Sequence, residues 1–492
     1  MTFTWKDLRK LTTQLTLFLS CCSCYTLTEP AQPLEVPVCP LENAAAEIAD
    51  DPLFSLGEII PECWWGLLND PQLASLIEIA LENNPSLQAA EARIFAALYQ
   101  AEATRAALLP AISLDGDVQK DSTSKTAVFP PPPPGSGFNY PFNYTLYEAF
   151  LSFMYEIDIW NKNHNKLVAA LGLMYADMAE TAFSRLAISI NVAQTYYHIQ
   201  IDLARRELAL TALQNRKQNL ELIEKRFQRN IANELDLLNA RNAYSATERL
   251  IISIEEDLEI NRHQLFALLG MENEEPLFQV EVASCCLPKV PYPEQLPLHL
   301  IAHRPDIIAQ IWLVESAVAD IEVAKAGFYP DINLTGFAGY QTIHLKNFFD
   351  SKSGDSSLKF AFSLPIFTGG LLTANLRGAE VSYDEEVFEY NRLILEAVRE
   401  VLDGITRLRK SRDATERLDE EAGNQDRIAE LTQMKQKYNV VSDIDTLNQQ
   451  QQTLYAKDAA LQSKGNEIDA FLLLIKALGG GYDAYCEKEE CL

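Results

Sequence analysis

Nine cysteines, six histidines and 69 acidic residues are the groups in this 492-residue chain that could bind a metal, attack a carbonyl or move a proton. Their spacing argues against all three. The cysteines never form the doubled C-x-x-C pattern of a zinc site, and the histidines are scattered, so no tetrahedral nitrogen and sulfur set is spelled out. No motif joins Ser, His and Asp or Cys and His for nucleophilic attack, and no glycine loop has phosphate-cradling spacing. Pairs of Glu and Asp are what any solvated helix offers. No enzyme, cofactor or metal is expected. The net charge of −28 also excludes nucleic acid as a partner, because phosphate binding needs concentrated Lys and Arg.

The chemistry that the cysteines do suggest is acylation. Lys6, Arg9 and Lys10 precede the short apolar stretch Leu11–Ser20 and then Cys21-Cys-Ser-Cys24. A basic segment, an apolar stretch and a small residue before cysteine are those of a bacterial lipoprotein signal over residues 1–24. Ser20 favours Cys21 over Cys22 as the acyl acceptor. A plain signal peptide with incidental cysteines fits the same residues, and both readings export the protein. Cys39, Cys63, Cys285, Cys286, Cys486 and Cys491 are then free to form extracytoplasmic disulfides, with a connectivity that spacing does not reveal.

The elements that position these groups are written twice. Asn230-Ile-Ala-Asn-Glu-Leu-Asp-Leu-Leu-Asn239 is followed by Gly270, and Asn439-Val-Val-Ser-Asp-Ile-Asp-Thr-Leu-Asn448 by Gly479 at the same distance. Pro85 and Pro110 in the first half correspond to Pro305 and Pro330 in the second. A repeat this long is a duplicated half, not a solenoid unit. There is no proline between Pro141 and Pro276, nor after Pro365, which suits long helices. A helix from Gly172 to Arg229 would run roughly 90 Å, about three bilayer cores. Leu220, Ile223 and Phe227 mark one narrow stripe, and Leu250, Ile254, Leu258, Leu265 and Leu269 another, as in coiled-coil packing. The helices reverse at Asn230 and Asn439, since asparagine tolerates the left-handed conformation.

Between the proline stops and the helices lie four alternating segments. Near 111–118, Ile112, Leu114 and Val118 oppose Ser113, Asp115 and Asp117. Near 148–160, Leu151, Phe153, Tyr155, Ile157 and Ile159 oppose Ser152, Glu156 and Asp158. Near 331–340, Ile332, Leu334, Ala338 and Tyr340 oppose Asn333 and Thr335; near 358–367, Leu358, Phe360, Phe362, Leu364 and Ile366 oppose Lys359, Ala361 and Ser363. One such strand means only a half-buried sheet. Four of them, near membrane-spanning length with an aromatic-rich face, look like barrel strands in an outer membrane. No apolar run reaches the ~18 residues of a spanning helix. Four strands cannot close, and open edges in hydrocarbon leave backbone groups unpaired, so the chain must oligomerise.

Trp64-Trp65, Asp70-Pro-Gln-Leu-Ala-Ser-Leu76, Asn83-Asn-Pro-Ser-Leu87, Tyr155-Glu-Ile-Asp-Ile-Trp160, His303-Arg-Pro-Asp-Ile307, Leu364-Pro-Ile-Phe-Thr-Gly-Gly370 and Gly479-Gly-Gly-Tyr482 occur in this order. The ordered set resembles the TolC-like outer-membrane efflux channels, in their lipoprotein branch paired with resistance-nodulation-division pumps, over residues 60–482. The resemblance implies a mainly α, internally duplicated protomer that gives four strands to a twelve-stranded trimeric β-barrel. Its long helices would form a periplasmic α-barrel. It implies a homotrimer in outer-membrane lipid that docks a periplasmic adaptor (membrane fusion) protein and an inner-membrane pump, and that conducts small molecules or drugs without chemistry. The alternatives are an outlet for protein secretion and, from another class, a coiled-coil envelope scaffold.

The implied division is an N-terminal segment and equatorial belt at 25–80, a first repeat at 81–270, a linker at 271–300, a second repeat at 301–480 and a tail at 481–492. The resemblance also implies a closed periplasmic mouth ringed by acidic residues just past the second turn. Asp445 matches one such position, Asn448 stands at the next, and Asp236 and Asn239 repeat the pair in the first half. Asn230 and Asn439 stand where relatives carry glycine at the adaptor-facing turns. Val441 occupies one place where some relatives carry a residue that ties the tips together. Fewer carboxylates imply a weaker cation-binding constriction.

Overall fold

The computed structural model describes residues 30–34, 51–122, 143–271, 287–293 and 301–482. Cys21, Cys22, Cys24, Cys39, Cys285, Cys286, Cys486 and Cys491 lie outside the described residues. Cys63 is a free, exposed thiol. In chain order the elements are β1 (Phe54–Leu56), α1 (Pro71–Asn83), α2 (Pro85–Ala106), β2 (Ala111–Ser122), β3 (Asn143–Glu156), α3 (Lys162–Gln228) and α4 (Glu234–Leu269). They continue with β4 (Val290–Tyr292), α5 (Pro305–Ala326), β5 (Asp331–Thr342), β6 (Gly354–Ser363), α6 (Leu371–Lys437) and α7 (Asp443–Ala477). Among the described residues no helix is long and apolar enough to cross a membrane.

Local rules set most of the boundaries. Helices α1, α2 and α5 each begin on proline, whose missing N–H costs nothing in a first turn. The Asp70 carboxylate accepts from the N–H groups of Gln72 and Leu73, and the Asn84 amide oxygen from Ser86, so the first two starts are capped. With no interior proline, α3 and α6 each reach 67 residues, about 100 Å. α3 packs on α2, α4, α5 and α7, while α6 packs on α5 and α7.

The duplication is visible in contacts as well as in sequence. Gly270 ends α4 with φ +66°, and Gly479 follows α7 with φ +94°. A Cβ on Gly270 would strike the carbonyl oxygen of Asn83, and one on Gly479 that of His303. Each glycine therefore lets a returning helix abut the start of a proline-led helix, α4 against α2 and α7 against α5. Matching polar clasps close both joints. Asn84 Nδ2 donates to the Leu268 carbonyl at 2.8 Å, and Arg304 Nη1 to the Ala477 carbonyl at 3.2 Å. Arg304, only 4% exposed, also pairs with Asp306 and Glu400.

The main core gathers residues of α1, of the middles of α3 and α6 and of the ends of α4 and α7, among them Trp64, Leu73, Leu76, Tyr196, Val401 and Phe471. Trp64 Nε1 donates to Ser189 Oγ at 3.0 Å, and the Tyr196 hydroxyl meets Asp70 and Gln72. Next to it β1 and β4 pair in parallel, tying the N-terminal segment to the stretch between the repeats.

The four longer strands form one antiparallel sheet in the order β2-β3-β5-β6. All four strands correct limits of the sequence reading, with β3 starting at Asn143 rather than near 148 and β5 running on to Thr342. β3 ends at Glu156 rather than near 160, because Asp158 accepts the His164 N–H at 2.8 Å and Asn161 turns left-handed to start α3. β6 runs from Gly354 to Ser363 instead of 358–367: Pro365 has no N–H to give a ladder. β2 extends four residues past 118 because polar Gln119–Ser122 pair with Asn143–Leu146, a stretch without apolar alternation.

Candidate functional site

The register places the apolar residues of all four strands on one side. Ile112, Leu114 and Val118 stand across from Phe153, Leu151 and Tyr147. Leu151 and Tyr155 stand across from Ala338 and Leu334, and Leu334 and Ile332 across from Phe360 and Phe362. Among the described residues most of this face is uncovered: Leu114 is 77% exposed and Phe362 75%. The opposite side carries Ser113, Asp115, Asp117, Glu148, Asn333 and Lys359, with Gln341 donating to Glu148. Leu146, Phe150, Met154 and Phe337 depart from the alternation and lie on the polar side, where Phe150 and Phe337 meet edge-on at 4.9 Å. At the helix end of the sheet Trp160 stacks on Tyr329 at 4.6 Å, and Lys162 pairs with Glu156 and Asp331 at 2.7 Å each. Aromatic and basic side chains at the rim of an apolar band suit a membrane boundary.

At the far ends of the long helices, both reversals turn on asparagine in the left-handed conformation, Asn230 at φ 58° and Asn439 at φ 56°. The N–H of Ile231 then reaches the Arg226 carbonyl at 2.9 Å, and that of Val440 the Lys435 carbonyl at 2.9 Å, which satisfies carbonyls left over at the helix ends. Asp236 and Asp445 have a local occupation. Each closes a capping box at the start of its helix, Asp236 with Asn233 and Asp445 with Ser442. Asp445 Oδ2 accepts from Ser442 N at 3.1 Å and from Ser442 Oγ at 2.7 Å. These bonds hold its carboxyl below the usual carboxylate range. The pattern behind both boxes, Asn233-x-x-Asp236 and Ser442-x-x-Asp445, stands in the sequence and signals helix starts.

The remaining gate candidates gather around one cleft. A cavity of about 520 Å³ between α3, α4 and the start of α7 is lined by Arg216, Asn219, Arg226, Asp236, Asn239 and Asn448. Asp445 is not among its walls. Asn219, 7% exposed, donates from Nδ2 to Asn448 Oδ1 at 3.0 Å, while its own Oδ1 finds no partner. Sequence reasoning missed Asn219, Arg216 and Arg226, because they sit on α3 and meet α7 only through the tertiary seam.

That seam carries further polar links away from the tip. Arg216 Nη2 donates to the Tyr455 hydroxyl at 3.3 Å. Arg205 pairs with Asp458 at 2.8 Å and with Asp202 at 3.1 Å, and His198 with Asp469 at 2.9 Å. The hydrogen bond to Asp469 raises the His198 pKa, and burial pushes the Asp202 carboxyl up. Apart from Arg205–Asp202, which lies within α3, these contacts join the first repeat to the second. Among the described residues no three His, Cys, Asp or Glu side chains converge as a metal would need.

Paired hairpins, each made of one helix of about 100 Å and a returning helix of about half that length, crowned by an open sheet with a largely bare apolar face, define a subunit of an outer-membrane channel. The chain belongs to the outer membrane efflux protein family, whose profile matches residues 76–271 and 296–480. It is 29% identical over 428 residues to the multidrug resistance outer membrane protein MdtQ of Escherichia coli O157:H7, covering 85% of this chain and 88% of the relative. It is 28% identical to MdtP of Escherichia coli K12, with 86% of each chain covered. Among solved structures, the outer membrane protein VceC of Vibrio cholerae matches with a TM-score of 0.73 at 29% identity, over 86% of this chain and all of that one. The Campylobacter jejuni CmeC outer membrane channel shares the fold with a TM-score of 0.82 at 21% identity, over 95% and 97%.

Proposed function

We propose that this chain is the passive exit duct of a tripartite efflux system, assembled as a homotrimer. The open sheet carries the reading. β2 and β6 are its two unpaired edges, and they run in opposite directions, so β6 of one copy can pair antiparallel with β2 of the next. Head-to-tail pairing of this kind closes into a ring and removes every edge from the hydrocarbon. Two copies give an eight-stranded barrel, largely filled by its own side chains, whereas three give twelve strands and a lumen. The bare apolar face then meets lipid and the polar face lines the passage.

Under this reading the long helices form a hollow tube across the periplasm, and the turns at Asn230 and Asn439 meet the adaptor. The inner-membrane pump supplies small-molecule cargo and the energy to move it. The periplasmic mouth is bounded by Asp445, Asn448, Asp236 and Asn239, with the Asn219–Asn448 bond holding it shut. An acyl chain on Cys21 or Cys22 adds a second, weaker anchor. The test is mass measurement in detergent followed by planar-bilayer recording. A trimer that passes ions is expected; a stable monomer with ordered strands overturns the reading.

A further inference from the structure

The end of the sheet far from the helices carries a feature that a duct does not require. A cavity of about 460 Å³ opens there, with walls that include Lys120, Tyr147, Ile343, His344, Leu345 and Lys346. Lys120 stands across from Thr145, and Tyr147 across from Val118, so both belong to the apolar side of the sheet and not to the polar one. Among the described residues, neither lysine has a carboxylate within ion-pair reach. The turn after β5 bends over the same side. Phe348 and Phe349 lie 6.0 and 5.9 Å from the Tyr340 ring, and Phe349 is 83% exposed.

Cationic groups over an apolar floor, with aromatic rings alongside, match an anionic amphiphile better than a soluble anion. A soluble phosphate has no use for Ile343, Leu345 and Phe349, and a neutral lipid has none for two unpaired lysines. The position selects the leaflet. β2 leaves α2 at Ala111 and reaches Lys120 nine residues later, at the surface facing away from the periplasmic helices. The lipid there, in a bacterial outer membrane, is a phosphorylated glycolipid.

We propose that this cavity binds a phosphorylated glycolipid of the outer leaflet, with a phosphate held between Lys120, His344 and Lys346 and acyl chains lying on Ile343, Leu345 and the apolar face below. Lysine supplies rotatable point-charge donors to phosphate oxygens, and a basic residue near an anionic lipid surface strengthens binding by a few-fold to tenfold. Three rim sites per channel follow if the trimer stands, since the inference rests on that membrane reading of the sheet.

The experiment titrates the purified full-length protein in detergent with diphosphorylated lipid A, read by native mass spectrometry. Removing both lysines together with the histidine, as Lys120→Gln/His344→Gln/Lys346→Gln, should weaken binding by roughly thirtyfold or more. Dephosphorylated lipid A should bind the unaltered protein no better than that variant binds the phosphorylated form, a comparison that does not depend on the variant folding. Lys359→Gln, on the polar side, should leave affinity unchanged. Equal binding of phosphorylated and dephosphorylated lipid overturns the proposal, as does an equal loss in Lys359→Gln. Inorganic phosphate binding as tightly as the lipid would overturn the lipid assignment. Bilayer conductance of the same unaltered preparation separates the failures: a conducting channel indifferent to phosphate removes this site alone, whereas no conductance removes the channel reading.

Discussion

The Asn219–Asn448 bond at the tip makes an asymmetric prediction. Asn219 is buried on α3, whereas Asn448 is exposed on α7 at the edge of the 520 Å³ cleft. Asn448→Leu deletes the acceptor and leaves the Asn219 Nδ2 group unpaired in the helical seam. A stranded buried donor costs about 1–3 kcal/mol, and water entering from the cleft should hold the loss near the lower end, about 1 kcal/mol. Asn219→Leu breaks the same bond but removes the buried amide altogether, including an Oδ1 that already lacks a partner. The Asn448 amide that remains is solvated, so this change should be close to neutral. Hydrogen exchange of the facing ends of α3 and α7 reports the local opening equilibrium. Asn448→Leu should raise opening about fivefold and Asn219→Leu less than twofold. Open probability in planar bilayers should follow the same order. A larger effect from Asn219→Leu would refute the reasoning, because the bond would then be worth more than the burial it compensates.

Three other outcomes follow from the structure. Leu114→Arg on the bare apolar face should cost about 2–4 kcal/mol of barrel stability, read by urea unfolding in lipid vesicles, whereas Asp115→Arg on the polar face should cost far less. Gly270→Ala meets both a positive φ and the Asn83 carbonyl, so it should destabilise by more than about 1 kcal/mol, while Gly423→Ala, in open space within α6, should stabilise by about 0.4–1 kcal/mol; thermal loss of helical circular dichroism measures both. The raised His198 pKa means that its link to Asp469 contributes fully below the ordinary histidine pKa near 6.5 and is lost as pH rises through the higher folded value. Exchange protection of α7 around Asp469, corrected for intrinsic rates, should therefore fall from pH 6 to pH 9, and His198→Gln should abolish the change.

The sequence spoke most clearly where one local rule acts alone. Proline at 85 and 305, glycine at 270 and 479 and asparagine at 230 and 439 mark the helix joints and reversals, because backbone conformation at those places depends on the residue itself. The apolar faces of the strands were legible from alternation, and their ends were not: at Gln119–Ser122 a polar stretch goes on pairing because its partner strand is already in register. The incoming-helix stripe was legible as a pattern, yet Phe227 is exposed in the protomer, so its burial depends on a surface that one chain does not supply. The seam between α3 and α7 could not be read at all. His198 and Asp469, or Asn219 and Asn448, lie more than 200 residues apart, and nothing local to either end names its partner.

The acidic tip shows how a local rule can be taken for a functional one. Asp445 matches a position where the resemblance implies charge at a closed mouth and Asp236 repeats it in the first half, yet each is also the third residue of a helix whose first N–H groups need an acceptor. A carboxylate there is explained by folding alone, whatever the pore requires. What capping does not explain is the company kept by the other positions. Asn239 and Asn448 are uncharged, and they share their cleft with Arg216 and Arg226 against the single carboxylate of Asp236. Arg226 also faces the Asp445 carboxylate beside the cleft, so two guanidinium groups meet two carboxylates there and the tip carries no ring of unpaired acidic charge to attract a cation. Under the proposed reading, closure at this tip rests on the amide bond and the packed seam, and the arginines of α3 are the charges placed to tune it.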